Sequence, residues 1–320
     1  MPLRLLAAGK TDVGLQREQN EDSFHTQVVG DKAASGIFIV SDGMGGYHAG
    51  EIASQIAVET IHDELAPVLD PSLPATTVKL SPRDSKRKRS KSGKKDAAIA
   101  ESVNSESGAV VTSSESEDAA ETGESDTRDP HETKQLFETL GIDHYAGKLN
   151  EAVKRANTAI VEYGDTHREA RGLGATVTAA FVVDGQAFIA NVGDSRTYLV
   201  RDGKIERVTR DHSLVERLVE MEQITPDEVY DHPSRNLIYR SLGAGHSDVD
   251  VDIFHEPLQA GDTLLLCCDG LWEMIRDPEL LRIITETEDV EKASALLITT
   301  ANENGGEDNI TAVLVRCVEG

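Results

Sequence analysis

The sequence predicts an α+β fold with mainly antiparallel sheets, and three observations point to it. Strand-like segments rich in Val, Ile, Leu and Thr end at Gly or Asp. Val183-Asp184-Gly185-Gln186 and Arg201-Asp202-Gly203-Lys204 each place Asp-Gly between strand candidates, the strongest short hairpin signal. Helical patterns come in pairs instead of alternating with strands, which disfavours a doubly wound parallel sheet. At least three consecutive strands are expected to run as a meander, with helices packed outside the sheets.

The strand candidates are residues 3–8, 36–41, 176–183, 187–192, 197–201, 263–268 and 310–317. Residues 51–65 place Ile52, Ala53, Ile56, Ala57, Ile61 and Leu65 on one helical face, and residues 149–163 do the same with Leu149, Ala152, Val153, Ala156, Ile160 and Tyr163. Between these helices, residues 70–135 hold no Phe, Trp or Tyr and are rich in Ser, Glu and Lys. Such a stretch cannot bury enough apolar area to offset chain ordering, so a disordered charged insert is expected within one domain spanning 1–320. Its Lys86-Arg87-Lys88-Arg89 block reads as solvated linker, with a docking or import signal as the alternative. Residues 213–238, polar and interrupted by Pro226 and Pro233, read as a flap beside a site.

Composition narrows the function. Acidic side chains outnumber basic ones 57 to 32, a formal charge of −25 that repels phosphate backbones and disfavours nucleic acid as a partner. No apolar run approaches the ~20 residues of a membrane helix. The opening Met1-Pro2-Leu3-Arg4-Leu5-Leu6 lacks a full signal core, and three cysteines cannot all pair, so a cytoplasmic, monomeric protein without membrane contact is expected.

Four acidic motifs recur at strand ends beside Gly-bearing turns: Ser41-Asp42-Gly43-Met44-Gly45-Gly46, Val192-Gly193-Asp194-Ser195, Cys268-Asp269-Gly270 and Gly306-Glu307-Asp308-Asn309. Glu21-Asp22 adds a fifth acidic pair after Arg17. Carboxylates converging from several strand ends repel one another unless a cation lies between them, and oxygen ligands suit Mg2+ or Mn2+. Zinc is disfavoured: adjacent Cys267 and Cys268 point to opposite faces of a strand, and Cys317 stands apart. His212, in Asp211-His212-Ser213, reads as a turn or helix-cap residue, with a proton carrier as the alternative.

Together with Arg17-Glu18-Gln19-Asn20-Glu21-Asp22, Asn191-Val192-Gly193-Asp194-Ser195-Arg196, Cys268-Asp269-Gly270-Leu271 and Asp308-Asn309-Ile310-Thr311, these motifs resemble in order those of the metal-dependent protein phosphatases of type 2C, bacterial branch. The resemblance implies a central β-sandwich flanked by helical layers, α-β-β-α, with a binuclear Mn2+ or Mg2+ centre at one end. Asp42 then bridges two ions, the Gly43 carbonyl binds one, and Asp269 and Asp308 bind the other. Glu21 and Asp22 hold metal-bound waters, Asp194 with Asp269 holds a third, weaker ion, and Arg17 grips the substrate phosphate.

The implied reaction is hydrolysis of phosphoserine and phosphothreonine in proteins by a metal-bridging hydroxide, without a phosphoenzyme. Phosphorylated proteins are the expected partners, with a Ser/Thr kinase among them by analogy with bacterial signalling. Two departures stand out. The family's His after Asp-Gly-Met-Gly-Gly is replaced by Tyr47, with His48 one place later, which leaves the general acid open between His48 and water. Ala175 replaces a common Thr, with a packing effect expected.

Overall fold

Side chains alternate along each strand, and that alternation sorts the described apolar residues into three cores. The computed structural model describes residues 3–30, 34–45, 49–69 and 130–320. The chain divides into two units, residues 1–78 with 138–320 and residues 79–137. The first carries both sheets; of the second, the described residues are the opening of a helix.

One sheet holds β1 (Leu3–Asp12), β7 (Arg196–Arg201), β8 (Lys204–Arg207), β11 (Thr263–Cys267) and β12 (Ile310–Glu319), ordered β1-β12-β11-β7-β8. The other holds β10 (Asp252–Pro257), β6 (Gln186–Val192), β5 (Val177–Val183), β3 (Ser35–Met44), β4 (Gly174–Ala175) and β9 (Leu242–Gly243) in that order, with β2 (Asp22–Val29) paired to β3. Every pairing is antiparallel.

Phe38, Val40, Ala180, Val182 and Ile189 meet Leu5, Leu199, Leu264, Leu266 and Val313 between the sheets. One position along the same strands, Ile37, Ile39, Ala179, Phe181 and Phe188 turn outward to Ala53, Ile56, Ile61, Leu149 and Ile160. Those residues belong to α1 (Ala49–Leu69) and α2 (Pro130–Thr166). On the opposite outer face Tyr198, Leu265, Ala312 and Leu314 pack against Trp272, Leu280, Ile283 and Leu297. These come from α4 (Asp269–Trp272), α5 (Asp277–Glu286) and α6 (Val290–Glu303). The layers run helix, sheet, sheet, helix, the expected α+β sandwich.

Several elements differ from expectation. Val177–Val183 and Gln186–Val192 form a hairpin, as do Arg196–Arg201 and Lys204–Arg207, but the two hairpins lie in different sheets, so the meander breaks at residues 193–195. Gly193, at φ +110°, turns the chain from one sheet to the other. The 176–183 strand divides at Thr176, whose polar groups bond to neighbouring strands rather than continuing one ladder. The strand β2, with its polar alternation, and the helices α5 and α6 go beyond the expected elements.

Residues 70–129 of the expected insert lie outside the described residues, and 130–135 begin α2, with Pro130 at the first position, where its missing N–H costs nothing. Residues 213–238 begin with a short helix and continue irregularly. Ser213 caps α3 (Leu214–Glu220), its Oγ accepting from the Glu216 N–H (3.3 Å), and a 3-10 turn follows at Pro226–Val229. Among the described residues no helix is long and apolar enough to cross a membrane.

Candidate active site

The acidic motifs meet because each ends a strand on the same side of the sandwich. Asp22 opens β2 directly opposite Asp42 near the end of β3. Asp269 follows β11 and starts α4, and Asp308 precedes β12, the neighbour of β11. Asp194 lies on the crossover between β6 and β7. Glycines let the backbones close up: a Cβ on Gly50 would stand 2.6 Å from Glu21 Oε1 and 2.7 Å from the Gly43 carbonyl oxygen. The Gly43 N–H also donates to the Glu21 carbonyl (3.2 Å).

Burial and mutual repulsion dominate the electrostatics. Burial pushes the Asp42 carboxyl well above its ordinary range, and the charges of Asp22, Asp269, Asp194 and Asp308 push it further. Asp269 rises for the same reasons, with Asp194 and Asp308 the leading charges. Burial lifts Asp22 to about 6, although the Thr311 hydroxyl, which donates to its Oδ2 (2.6 Å), opposes the rise. Burial, then the Asp211 charge, lifts Asp194 to about 7.

Arg17 is the cation at the mouth. Its Nη2 donates to Asp308 Oδ2 (2.6 Å) while half the side chain stays exposed. Burial works against the Arg17 cation, and Asp308, Asp269 and Asp42 more than restore it. All eight residues singled out from the sequence, Arg17, Glu21, Asp22, Asp42, Gly43, Asp194, Asp269 and Asp308, thus belong to one region; Tyr47 and His48 lie outside the described residues.

Other residues hold the site in shape. Asn309 Oδ1 accepts from the Glu21 N–H (2.8 Å), and its Nδ2 donates to the carbonyls of Val13 (2.9 Å) and Gln19 (2.8 Å), pinning the loop that carries Arg17. Thr176 Oγ1 accepts from the Asp42 N–H (3.2 Å), and the Thr176 N–H donates to the Asp42 carbonyl (2.8 Å). Glu273, one turn beyond Asp269 on the same helix face, adds charge to the cluster, and its Oε2 accepts from Arg235 of residues 213–238 (3.1 Å). The four-residue spacing to Asp269 was the available signal for Glu273; nothing local marked Thr176, because its partners come from other strands.

Divalent cations fit this donor set. Asp22 Oδ1 and Asp269 Oδ1 are buried with no hydrogen-bond partner, and the acidic side chains and Gly43 carbonyl offer only hard oxygen donors. As they stand, no three His, Cys, Asp or Glu side chains among the described residues are grouped closely enough to hold one ion. Arg17 engages Asp308, one of these carboxylates.

A model of the protein phosphatase 2C family matches residues 15–314. The chain belongs to the protein phosphatase 2C family. Membership makes it a protein serine/threonine phosphatase. The serine/threonine phosphatase Stp of Listeria innocua is 31% identical to this phosphatase over 306 residues, covering 96% of this chain and 93% of its own. The crystal structure of the serine/threonine phosphatase PstP/Ppp of Mycobacterium tuberculosis matches with a TM-score of 0.67 at 27% identity, covering 99% of both chains. The PstP catalytic domain solved in complex with two manganese ions matches with a TM-score of 0.65 at 26% identity, covering 99% of this chain and 100% of that one.

Proposed function

We propose that this phosphatase hydrolyses phosphoserine and phosphothreonine in proteins with a pair of Mn2+ or Mg2+ ions held by Asp42, the Gly43 carbonyl, Asp269 and Asp308. Asp42 would serve both ions, Glu21 and Asp22 would hold surrounding waters, and Asp194 with Asp269 would hold a third, weaker ion. The observation that carries this reading is the cluster of buried carboxylates that raise one another's pKa around two unpartnered oxygens, Asp22 Oδ1 and Asp269 Oδ1. Such a cluster is unstable alone and suited to divalent charge.

When bound, the ion pair supplies Lewis acidity, neutralising phosphoryl charge and activating water as the nucleophile, so that no phosphoenzyme forms. The chain's own part is positioning. Arg17 leaves Asp308 for the phosphate, because its planar donors match two phosphate oxygens and its half-exposed side chain is free to turn. That exchange draws the substrate into the cluster and frees the Asp308 carboxylate to serve as a metal ligand. The leaving Ser or Thr oxygen takes its proton from water, since Tyr47 occupies the family's His position.

Residues 213–238 act as a flap beside the cleft; Arg235, donating to Glu273 (3.1 Å) and Glu307 (3.0 Å), ties them to both acidic motifs. A monomeric enzyme opposed by a Ser/Thr kinase belongs to the same reading, as does a reducing cytoplasm, for which the three buried free cysteines speak. Phosphate release from a phosphothreonine peptide, with Mn2+ and with chelator, tests the mechanism; equal rates in both would refute it.

A further inference from the structure

The Gly193–Asp194 turn crosses between sheets, so no strand ladder fixes it, and Gly193 adopts φ +110°. His212 fastens it. The Gly193 N–H donates to His212 Nδ1 (3.0 Å), and the His212 N–H donates to the Gly193 carbonyl (2.9 Å), so one residue closes a ring on the other. A backbone N–H can only donate, which makes Nδ1 an acceptor and leaves the single proton of neutral imidazole on Nε2. Nε2 lies 3.2 Å from Asp252 Oδ2. Arg240 Nη1 lies 2.9 Å from Nε2, but its two hydrogens also have acceptors in Asp252 Oδ1 (2.7 Å) and the Asp250 carbonyl (3.3 Å), so Nε2 is not required to accept from it. The imidazole is buried and both of its nitrogens are engaged, which leaves neither to carry protons for a substrate.

We propose that His212, in the Nε2–H tautomer oriented by Asp252, is a positioning residue that holds the Gly193–Asp194 turn so that the Asp194 carboxylate faces Asp269. The inference deepens the reading of Asp194 as a cation ligand and rests on it. Asp194 is the leading charge acting on Asp269, so a shift of this turn alters the shared donor pair. The same arrangement gives Asp211-His212-Ser213 a division of labour. Asp211 accepts from Arg196, His212 holds the turn, and Ser213 caps α3.

The test uses the full chain. A long-range nitrogen–proton spectrum of the protein in chelator should place the His212 proton on Nε2; a proton on Nδ1 overturns the proposal. In His212→Leu, exchange of the Gly193 amide should quicken by about tenfold, the factor set by one lost hydrogen bond. The weakest event in a calorimetric Mn2+ titration should weaken about 10- to 100-fold, as when a residue orienting a ligand is lost. His212→Asn, whose Oδ1 takes the place of Nδ1, should restore both readouts toward wild type. Unchanged exchange and titration in His212→Leu would overturn the proposal, as would failure of His212→Asn to rescue. If His212→Leu does not fold, Asp252→Ala, at a position one-third exposed, should quicken Gly193 exchange, and unchanged exchange there counts against it. Asp194→Asn run in parallel separates the two readings. If it leaves every Mn2+ event unchanged, Asp194 is no ligand, while the tautomer and the Gly193 exchange still decide what His212 holds.

Discussion

Asp22 allows the charge argument to be measured without any substrate. In the folded chain its carboxyl keeps its proton up to about 6, against 3.8 for an ordinary Asp, because burial and, less strongly, the Asp308 charge disfavour the carboxylate. Between those values the unfolded chain has released the proton and the folded chain has not, so stability falls as pH rises through the window. Above about 6 both states are ionised and the full cost is present, about 3 kcal/mol at 1.36 kcal/mol per pKa unit. The cluster shares its protons, so roughly 1 to 3 kcal/mol is expected for Asp22 alone.

Asp22→Asn removes that cost, and its side chain can still accept from the Thr311 hydroxyl. In chelator, urea unfolding should therefore show the variant more stable than wild type at about pH 7.5, with the advantage shrinking toward about pH 4.5. His25 and His212, whose burial lowers their pKa values, tilt the pH profile the other way in both proteins and cancel in the difference. Saturating Mn2+ should reverse the order, because wild type gains more from binding. A variant less stable than wild type in chelator at about pH 7.5, or an advantage independent of pH, would refute the reasoning.

On the proposed assignment Asp42→Ala should abolish turnover, because both ions would lose a shared ligand; two tight Mn2+ sites surviving in calorimetry would contradict the assignment. Arg17→Lys should lower kcat/KM by about 10- to 100-fold through the loss of a planar donor pair, measured on a phosphothreonine peptide. An unchanged value would return Arg17 to a plain ion pair with Asp308. Gly270→Ala should destabilise the fold by about 1 to 3 kcal/mol in urea, because its Cβ would lie 2.1 Å from the Asn309 carbonyl oxygen and force α4 away from β12. Unfolding indistinguishable from wild type would show that α4 and β12 can separate freely.

Asp42, Asp194, Asp269 and Asp308 were legible because each lies near a glycine-bearing turn at a strand end, while Glu21 and Asp22 were legible from their place after Arg17 in the family order. The helix pair α1 and α2 was legible from its apolar spacing. Thr176 was not, since its worth lies in bonds to Ser41 and Asp42 on β3 and to Ser195 on the crossover between the sheets. His212 was visible as a residue but not as a clamp, because its partners Gly193 and Asp252 are distant in sequence.

Local sequence was enough for the layer chemistry, for the hairpins at Asp184-Gly185 and Asp202-Gly203 and for naming the acidic residues of the cluster, because side-chain alternation and turn preference act over a few residues. The long-range packing sets where the chain leaves one sheet for the other at Gly193, places Asp22 against Asp42 across β2 and β3, and brings His212 onto the Gly193 backbone. Those outcomes depend on which strands pack together, and that choice is made by burial summed over the whole core rather than by any local stretch.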